Sequence, residues 1–361
     1  MPRKPFYFAP DGETMLIRDN KITFDSWDEQ FVERFGEHDA VEMVLNFKSC
    51  NPKLPFIYDT YQLAHYLRVG NKTLFNVLKN CDEHYRLVFI PKRSGGMREL
   101  CVPDGSLKKM QRAILNEIIV HLPVSRYATA YYAGSKLRDN AAPHVGRRYL
   151  LKLDLLDFFG SVRFDMVFSA AFHTHFFPKQ IGAVLTTLCC KDDTLPQGAP
   201  TSPAISNLVM RHFDDNFGLW CEAKGFAYTR YCDDITISGN RSLYSAYNKA
   251  CQWLTGMGFE INERKTHFLS NANRQAVTGL TVNEKISVPN DYKRKVRQEF
   301  YYAQKYGAEN VILRNSLADY INDGKADTVR YKAYLLGKIN YILSIEPDNA
   351  YFAQAKNILS K

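Results

Sequence analysis

Three aspartates are the residues of this sequence whose types and spacing best suit chemistry. Asp154 ends the apolar run 149–154, and Asp233 and Asp234 lie together within the segment 228–238. Carboxylate oxygens are the ligands that Mg²⁺ prefers, and because the ion keeps several of its waters, a few converging carboxylates suffice. Two such ions about 4 Å apart can activate an attacking hydroxyl and stabilise the leaving oxygen of a phosphoryl transfer. The pattern predicts a site for two Mg²⁺ ions.

Two neighbouring strand elements are needed to bring these aspartates together. The apolar run before Asp154 predicts a central strand, and 228–238 predicts a β-hairpin with Cys232, Asp233 and Asp234 at its tip. The pairs Asp192-Asp193 and Asp214-Asp215 also occur. Neither has an apolar strand on each side, so we interpret both as solvated turns or helix faces.

The rest of the chain predicts an α+β fold around this strand and hairpin. Periodic patterns predict helices over 59–80 with a turn at Gly70-Asn71, and over 107–121, 164–188, 203–224, 241–257 and from 291 onward. Strands are predicted over 85–90 and 97–102, as a hairpin, and as a pair within 266–288. In the last helix, Val296, Phe300 and Ala303 share one face. The central order resembles the split ferredoxin-like arrangement.

Composition permits a nucleic-acid partner without proving one. The formal net charge of the 361 residues is +9, which suits a polyanion because each neutralised phosphate releases a counterion. The apolar runs are too short for a membrane span, and the N-terminus lacks the apolar core of a secretory signal. The eight cysteines form no regular framework, so we expect reduced thiols and a cytoplasmic location.

Three motifs in order carry a family resemblance. Residues 154–159 (DLLDFF), 195–203 (LPQGAPTSP) and 231–234 (YCDD) resemble the successive palm motifs of reverse transcriptases. The resemblance runs from about Tyr85 to Val288 and implies an RNA-directed DNA polymerase, a nucleotidyltransferase. It implies a right-hand fold with fingers, a ferredoxin-like palm and a helical thumb. We predict an N-terminal extension over 1–55, fingers with part of the palm over 56–148, a palm over 149–288 with inserted fingers helices at 164–195, and a thumb over 289–361.

The resemblance assigns roles around the predicted metal site. It implies that Asp154, Asp233 and Asp234 are the catalytic metal ligands, with one of the last two contributing less, and that the backbone carbonyl of Leu155 also faces a metal. Phe159 matches the aromatic gate that crowds a ribose 2′-hydroxyl, which predicts deoxynucleoside triphosphates as substrates. Its neighbour Phe158 fits a buried core position better.

Further residues match the nucleotide pocket of the family. Gln197 and Gly198 resemble residues that line it, since a glycine permits close backbone approach. Lys92 and Arg98, on the predicted hairpin, match the basic residues that hold the triphosphate, while Arg93 fits either that role or a solvated neighbour. Lys265 matches a lysine near the pyrophosphate leaving group, a candidate general acid, although a surface lysine remains the alternative.

Two shorter segments point to retron reverse transcriptases. Residues 140–144 (NAAPH) resemble their NAxxH signature, and 277–279 (VTG) resemble their VTG triplet. The resemblance implies a dedicated structured non-coding RNA as template and primer, a branched RNA–DNA product called multicopy single-stranded DNA, and bacterial antiviral defence with a separately encoded effector protein. Candidate RNA-binding residues are Asn140, His144, Val277, Thr278 and Gly279, with His144 also open to a core role, and on the thumb Lys293, Arg294, Lys295 and Arg297, which also fit a solvated face.

Three other interpretations stay open on the sequence alone. A reverse transcriptase of another lineage, such as a short group II intron-type or diversity-generating enzyme, would copy many supplied primer–templates and carry no tightly bound small RNA. An RNA-directed RNA polymerase is disfavoured by Phe159. A non-catalytic RNA-binding scaffold has no reason to retain all three aspartates.

Overall fold

The computed structural model describes residues 7–8, 14–15, 29–51, 53–92, 95–322 and 325–360. The helices are α1 (Glu29–Phe35), α2 (Glu37–Cys50), α3 (Thr60–Tyr66), α4 (Asn71–Lys79), α5 (Gly105–Glu117), α6 (Leu137–Ala141), α7 (Phe164–Ala171), α8 (Lys179–Cys189), α9 (Ser202–Ala223), α10 (Tyr244–Gly256), α11 (Asn290–Tyr306), α12 (Ala308–Arg314), α13 (Thr328–Ile345) and α14 (Ala350–Leu359). The strands are β1 (Tyr7–Phe8), β2 (Thr14–Met15), β3 (Tyr85–Pro91), β4 (Met97–Pro103), β5 (Tyr149–Leu156), β6 (Ala227–Tyr231), β7 (Asp234–Gly239), β8 (Glu260–Ile261), β9 (His267–Ser270), β10 (Ala276–Val277), β11 (Leu280–Thr281), β12 (Ile321–Asn322) and β13 (Lys325–Ala326).

A five-stranded antiparallel sheet lies at the centre of the fold. Its order is β6-β7-β5-β8, and β9 also pairs with β5, beside β8 on the same edge. Numbered along the chain, the strands β6-β7-β5-β8 are the second, third, first and fourth of the sheet, with helices α7–α9 and α10 in the connections. The structure therefore confirms the α+β class and the ferredoxin-like order of the sheet.

Strand β5 contributes leucines to two cores, one on each face of the sheet. Leu151, Leu153 and Leu155 belong to the main core with the sheet-covering helices, whereas Leu150 packs into a second core. That second core contains residues of the β10–β11 hairpin and of α11, α13 and α14. The face of β5 that bears Leu150 also carries Lys152 and Asp154, so the apolar contacts of this face lie at the start of the strand and the charged side chains lie further along it.

The described N-terminal helices pack into the main core rather than standing apart from it. Phe31 stacks edge-on against Phe56 with ring centroids 5.3 Å apart, and Phe47 does so at 5.6 Å. Aromatic pairs in this arrangement add to the apolar area that they bury. The described part of the predicted extension is therefore a packed layer of the fold, and the boundary at residue 55 remains a prediction.

The C-terminal helices follow the predicted pattern with small differences. Val296 and Phe300 of α11 are buried, as predicted, and Ala303 packs against a third core made with α12 and α13.

The predicted helix over 164–188 is two helices, α7 and α8. The helical conformation is interrupted before Pro178, which has no backbone N–H to donate to a hydrogen bond of a continuous helix. Across the described residues, no helix is both long enough and apolar enough to cross a membrane.

Candidate active site

A cleft of about 1170 Å³ separates the β3–β4 hairpin from the edge of the central sheet. Its walls contain most of the catalytic and nucleotide-binding residues singled out from the sequence: Lys92, Arg98, Asp154, Leu155, Phe159, Gln197, Asp233 and Lys265. The structure thus brings together, in one cavity, residues spread over more than 170 positions of the chain.

Asp154 lies at the bottom of this cleft and is held by two neighbours. The Lys265 ammonium is 3.0 Å from both carboxylate oxygens, and the Asn262 side-chain amide donates to Oδ2 at 3.1 Å. The backbone N–H of Asn262 also donates to the Asp154 carbonyl at 2.8 Å. Lys265 therefore contacts the predicted metal carboxylate directly. Asn262 gave no signal in the sequence, because its role depends on the short pairing of β8 with β5.

The two other aspartates lie at the turn of the β6–β7 hairpin, hereafter the aspartate hairpin. Tyr231 pairs with Asp234, so the loop is the two residues Cys232 and Asp233, and Cys232 has a φ of 60°. A positive φ at the first loop position suits the twist of a tight hairpin, although it is strained for a residue with a Cβ. Burial raises the pKa of the Cys232 thiol to about 12, so it stays protonated.

A buried ion pair holds this turn from behind. Arg230 and Asp214 are both fully buried, and the Arg230 guanidinium donates to both Asp214 oxygens at 2.5–3.1 Å. Arg230 Nη1 donates to the Cys232 carbonyl at 2.9 Å, and the Tyr228 hydroxyl donates to Asp214 at 2.6 Å. The prediction that Asp214 is solvated was wrong, whereas Asp215, Asp192 and Asp193 are exposed or partly exposed.

The sheet register places negative charge opposite negative charge. Asp154 on β5 is the direct partner of Asp234 on β7. Burial raises the pKa of Asp234, the charges of Asp233 and Asp154 raise it further, and Lys152 and Lys265 oppose them. An oxygen-only donor set that concentrates charge in this way fits Mg²⁺. Among the described residues, no three Asp, Glu, His or Cys side chains lie close enough together to bind one metal ion. The Asp154 carboxylate pairs with the Lys265 ammonium.

The predicted nucleotide residues lie on two sides of the cleft. Phe159 is partly exposed on its wall while Phe158 is 3% exposed in the core, with the ring centroids 5.4 Å apart. Lys92 and Arg98 are exposed on the β3–β4 hairpin, and Lys191, which the sequence did not indicate, also lines the cleft. Arg93 lies outside the described residues. The cleft therefore has a basic side facing a carboxylate side.

The close backbone contact of Gly198 is with another part of the protein and not with the open cleft. It has a φ of +127°, and a Cβ there would lie 2.8 Å from the Cys101 carbonyl oxygen. The Cys101 N–H donates to the Gln197 carbonyl at 2.8 Å. The LPQG segment thus docks the β3–β4 hairpin onto the sheet. The predicted need for a glycine holds, but its neighbour in this structure is strand β4.

Three of the predicted RNA-binding residues are buried. Asn140, His144 and Val277 are each at most 1% exposed, whereas Thr278 is partly exposed and Gly279 exposed, with φ values of 45° and 84° at the turn of the β10–β11 hairpin. A direct RNA contact by the three buried residues is wrong for this structure, because their side chains are enclosed by protein. Thr278 and Gly279 stay predictions.

The basic residues at the start of α11 differ in how far their side chains are exposed to solvent. The Lys293 ammonium is 2.8 Å from Glu346 Oε1, and its side chain is only 11% exposed, so its predicted grip on a duplex is wrong in this arrangement. Arg294 and Lys295 are exposed. Arg297 is exposed too, with its guanidinium 5.3 Å from the Tyr351 ring centroid. These three remain candidate RNA contacts.

The buried His144 leads to a testable prediction about pH. Burial, helped by the Arg147 charge, lowers its pKa to about 3. The unfolded state binds this proton near pH 6.5, but the folded state does not until about pH 3, so acidification favours unfolding. Between those values His144 should reduce the free energy of unfolding by about 1.4 kcal/mol per pH unit. Denaturation of wild type and His144→Asn at several pH values measures this, and equal pH slopes in the two proteins would contradict it.

Comparison with known proteins agrees with this geometry. The family model described as reverse transcriptase (RNA-dependent DNA polymerase) matches residues 90–305. Retron Ec83 reverse transcriptase of Escherichia coli is 32% identical, over 73% of this chain and 84% of that protein. Retron Ec86 reverse transcriptase of Escherichia coli is 29% identical, over 73% and 83%. Retron Mx65 reverse transcriptase of Myxococcus xanthus is 32% identical over 74% of this chain, which spans 62% of that longer protein.

A sheet of ferredoxin-like order that carries facing aspartates, together with this family match, defines the class of protein. The chain belongs to the reverse transcriptase family, and its similarity to several retron enzymes identifies it as a retron reverse transcriptase. It is an RNA-directed DNA polymerase with the right-hand polymerase fold. The predicted boundaries of fingers, palm and thumb remain predictions.

Proposed function

We propose that Asp154, Asp233 and Asp234, with the backbone carbonyl of Leu155, hold two Mg²⁺ ions for DNA synthesis in this cleft. The observation that carries the proposal is the register of β5 and β7, which pairs Asp154 with Asp234 next to Asp233, so that Asp154 and Asp233 line a cleft whose other side carries Lys92 and Arg98. Bound Mg²⁺ would activate the primer hydroxyl and stabilise the leaving pyrophosphate. The carboxylates supply the negative charge that such ions need.

The remaining residues of the cleft bind and orient the nucleotide in this proposal. Lys92 and Arg98 face the cleft from the β3–β4 hairpin and hold the triphosphate, Arg98 through its planar fork. Gln197 lines the pocket beside them, and Gly198 fixes the segment against β4. Lys265, which is paired with Asp154 in this structure, would be free to donate a proton to the leaving pyrophosphate if Asp154 were bound to a cation instead.

Phe159 should select deoxynucleotides. Its ring lies on the cleft wall against the buried Phe158, which limits where it can move. Phe159→Ala should therefore relax discrimination against ribonucleotides by about 10- to 100-fold, the usual range for a steric contact of this size. The ratio of kcat/KM for a deoxynucleotide and its ribonucleotide measures the effect. Phe159→Tyr is the matched variant: it keeps the ring on the cleft wall and should leave the ratio nearly unchanged, and a Phe159→Ala enzyme with unaltered discrimination would refute the gate.

We propose further that the enzyme copies part of one dedicated, structured non-coding RNA. Its product would be DNA joined to that RNA as a branched molecule, the multicopy single-stranded DNA of retrons. RNA of this kind is recognised by shape and by unpaired bases, and the exposed Thr278, Gly279, Arg294, Lys295 and Arg297 are the contacts we assign to it. The retron relatives are bacterial, and we assign this chain to the cytoplasm, to phage defence and to a partner effector protein encoded separately.

Nucleic acid recovered with the protein tests this proposal. The chain is purified from cells that carry its native operon, and the bound nucleic acid is sequenced with and without a debranching enzyme. We expect one RNA, joined to DNA complementary to part of it, with a linkage sensitive to debranching. Random cellular RNA without attached DNA would refute the dedicated template. DNA made on many supplied templates, without a bound RNA, would favour a reverse transcriptase of another lineage.

A further inference from the structure

The segment 137–145, hereafter the coupling segment, contacts three separate parts of the molecule. It consists of α6 and the short 3₁₀ turn Ala142–His144. At its start, Arg138 donates to the Ile345 carbonyl, the last residue of α13, at 3.0 Å. In its middle, the Asn140 amide donates to Thr278 of the β10–β11 turn at 3.4 Å. At its end, His144 contacts the aspartate hairpin.

His144 joins the two strands of the aspartate hairpin on the sheet face that also carries Asp154 and Asp234, because Ser238 and Asp234 are four residues apart on β7. Its Nδ1 lies 2.7 Å from the Ser238 hydroxyl of β7, and its Nε2 lies 2.8 Å from the Thr229 hydroxyl of β6. A neutral imidazole has one donor and one acceptor nitrogen, so it can satisfy both hydroxyls at once. Thr229 is two residues from Tyr231, the last residue before the turn that carries Asp233.

Asn140 reaches the same strand by a second route. The Thr129 hydroxyl lies 2.9 Å from Asn140 Oδ1 and 3.0 Å from the carbonyl oxygen of Arg230. Arg230 is the residue whose guanidinium holds the Cys232 carbonyl at the turn. His144 thus contacts β6 directly at Thr229, and Asn140 is linked through Thr129 to the next residue, Arg230.

Apolar packing does not explain why the Asn140 amide and the His144 imidazole are buried in this segment. Ala141 of the same segment lies in the second core, where apolar contacts already secure it. Burying an amide and an imidazole costs desolvation that their hydrogen bonds only offset, so they contribute little net stability. Such hydrogen bonds instead fix the relative positions of the groups that they join, because each forms only near one distance and one direction.

We propose that the coupling segment positions the aspartate hairpin relative to the β10–β11 hairpin and the C-terminal helices, with His144 and Asn140 as positioning residues for DNA synthesis. The segment holds the turn of the aspartates in register with the surfaces that we assign to RNA. It therefore sets the distance between the primer end and the carboxylates. This inference rests on the proposed function.

Single-turnover kinetics can separate positioning from RNA contact. The variants are His144→Asn, which keeps a polar group near the Ser238 hydroxyl and loses Thr229, and Thr229→Val, which removes the hydroxyl from a strand position that valine suits. We measure the rate constant of the first nucleotide addition on pre-bound RNA, the Kd for RNA, and the thermal midpoint. We expect the rate constant to fall by about 10- to 100-fold, as for a reacting group displaced by a fraction of an ångström, with the Kd for RNA changed less than about twofold.

Three controls make the result specific to the hydrogen bond. Thr229→Ser retains the hydroxyl and should restore most of the rate. The double variant His144→Asn/Thr229→Val should be no slower than the slower single variant, because both remove one interaction. His212→Asn, at an exposed position of α9, should match wild type.

Each other outcome overturns a definite part of the proposal. An unchanged rate constant per folded molecule would show that the segment is only structural. A rise in Kd for RNA that matches the loss of rate would show that the residues act through RNA binding. A wild-type chain that binds RNA but adds no nucleotide would overturn the proposed function itself, and the positioning role with it.

Discussion

Asp233→Asn is expected to reduce nucleotide addition by at least about 10³-fold and to leave RNA binding unchanged. The side chain lines the cleft at the turn of the aspartate hairpin, where the substitution removes one negative charge and keeps nearly the same shape. Metal ions contribute several kcal/mol to such a transition state, and each 1.36 kcal/mol is a factor of ten in rate. Primer extension with saturating Mg²⁺, beside a filter-binding measurement of RNA affinity, gives both quantities.

Asp215→Asn is the matched control for this charge change. Asp215 belongs to the other adjacent pair, on the exposed face of α9, where Arg211 lies 3.7 Å away. A surface pair of this kind is worth about 0–1 kcal/mol. The control should therefore retain wild-type synthesis. Retained synthesis in Asp233→Asn would refute the metal assignment.

The largest effect on stability is expected from Arg230→Met. This variant leaves Asp214 fully buried without its partner and also frees the Cys232 carbonyl. Removal of one member of a buried pair costs about 3–5 kcal/mol, a large part of the 5–15 kcal/mol of a typical domain. Chemical denaturation of the variant and of wild type measures the loss.

Two further variants separate the ion pair from the turn. The double variant Asp214→Leu/Arg230→Met should be more stable than Arg230→Met alone, since no unpaired charge remains in the core. It should still synthesise DNA slowly, because the Cys232 carbonyl has lost its donor. Arg211→Met, which breaks the exposed pair, should cost less than about 1 kcal/mol. Equal losses for Arg211→Met and Arg230→Met would contradict the account.

Local sequence patterns predicted the strand and the hairpin, and the family resemblance indicated the other residues of the cleft. The apolar run before Asp154 and the strands that flank Asp233 are signals within a few residues, and the main-chain pairing follows from them. The ferredoxin-like order came from the succession of elements. Phe158 is buried as predicted and Phe159 is partly exposed, although both residues border the cleft.

The wrong predictions concern polar residues whose partners are distant in the chain. Asp214 was read as solvated because its partner Arg230 is 16 residues away on another element, and no periodicity reports such a pair. Asn140 and His144 were read as RNA contacts because a short motif says nothing about burial. Lys293 was read as exposed, although Glu346 lies 53 residues further on. In each case, contacts between residues that are distant in the chain determine the burial or the pairing of the side chain.

The most direct test of the central claim is template-directed DNA synthesis by the purified chain. Versions of the RNA that copurifies with the chain, each changed at one copied position, are supplied with Mg²⁺ and all four deoxynucleoside and ribonucleoside triphosphates, and the products are sequenced. The account predicts DNA whose sequence changes with the template, made by wild type and by Asp215→Asn but not by Asp233→Asn. RNA products, products that ignore the template, or no synthesis by folded and RNA-bound chain would contradict it.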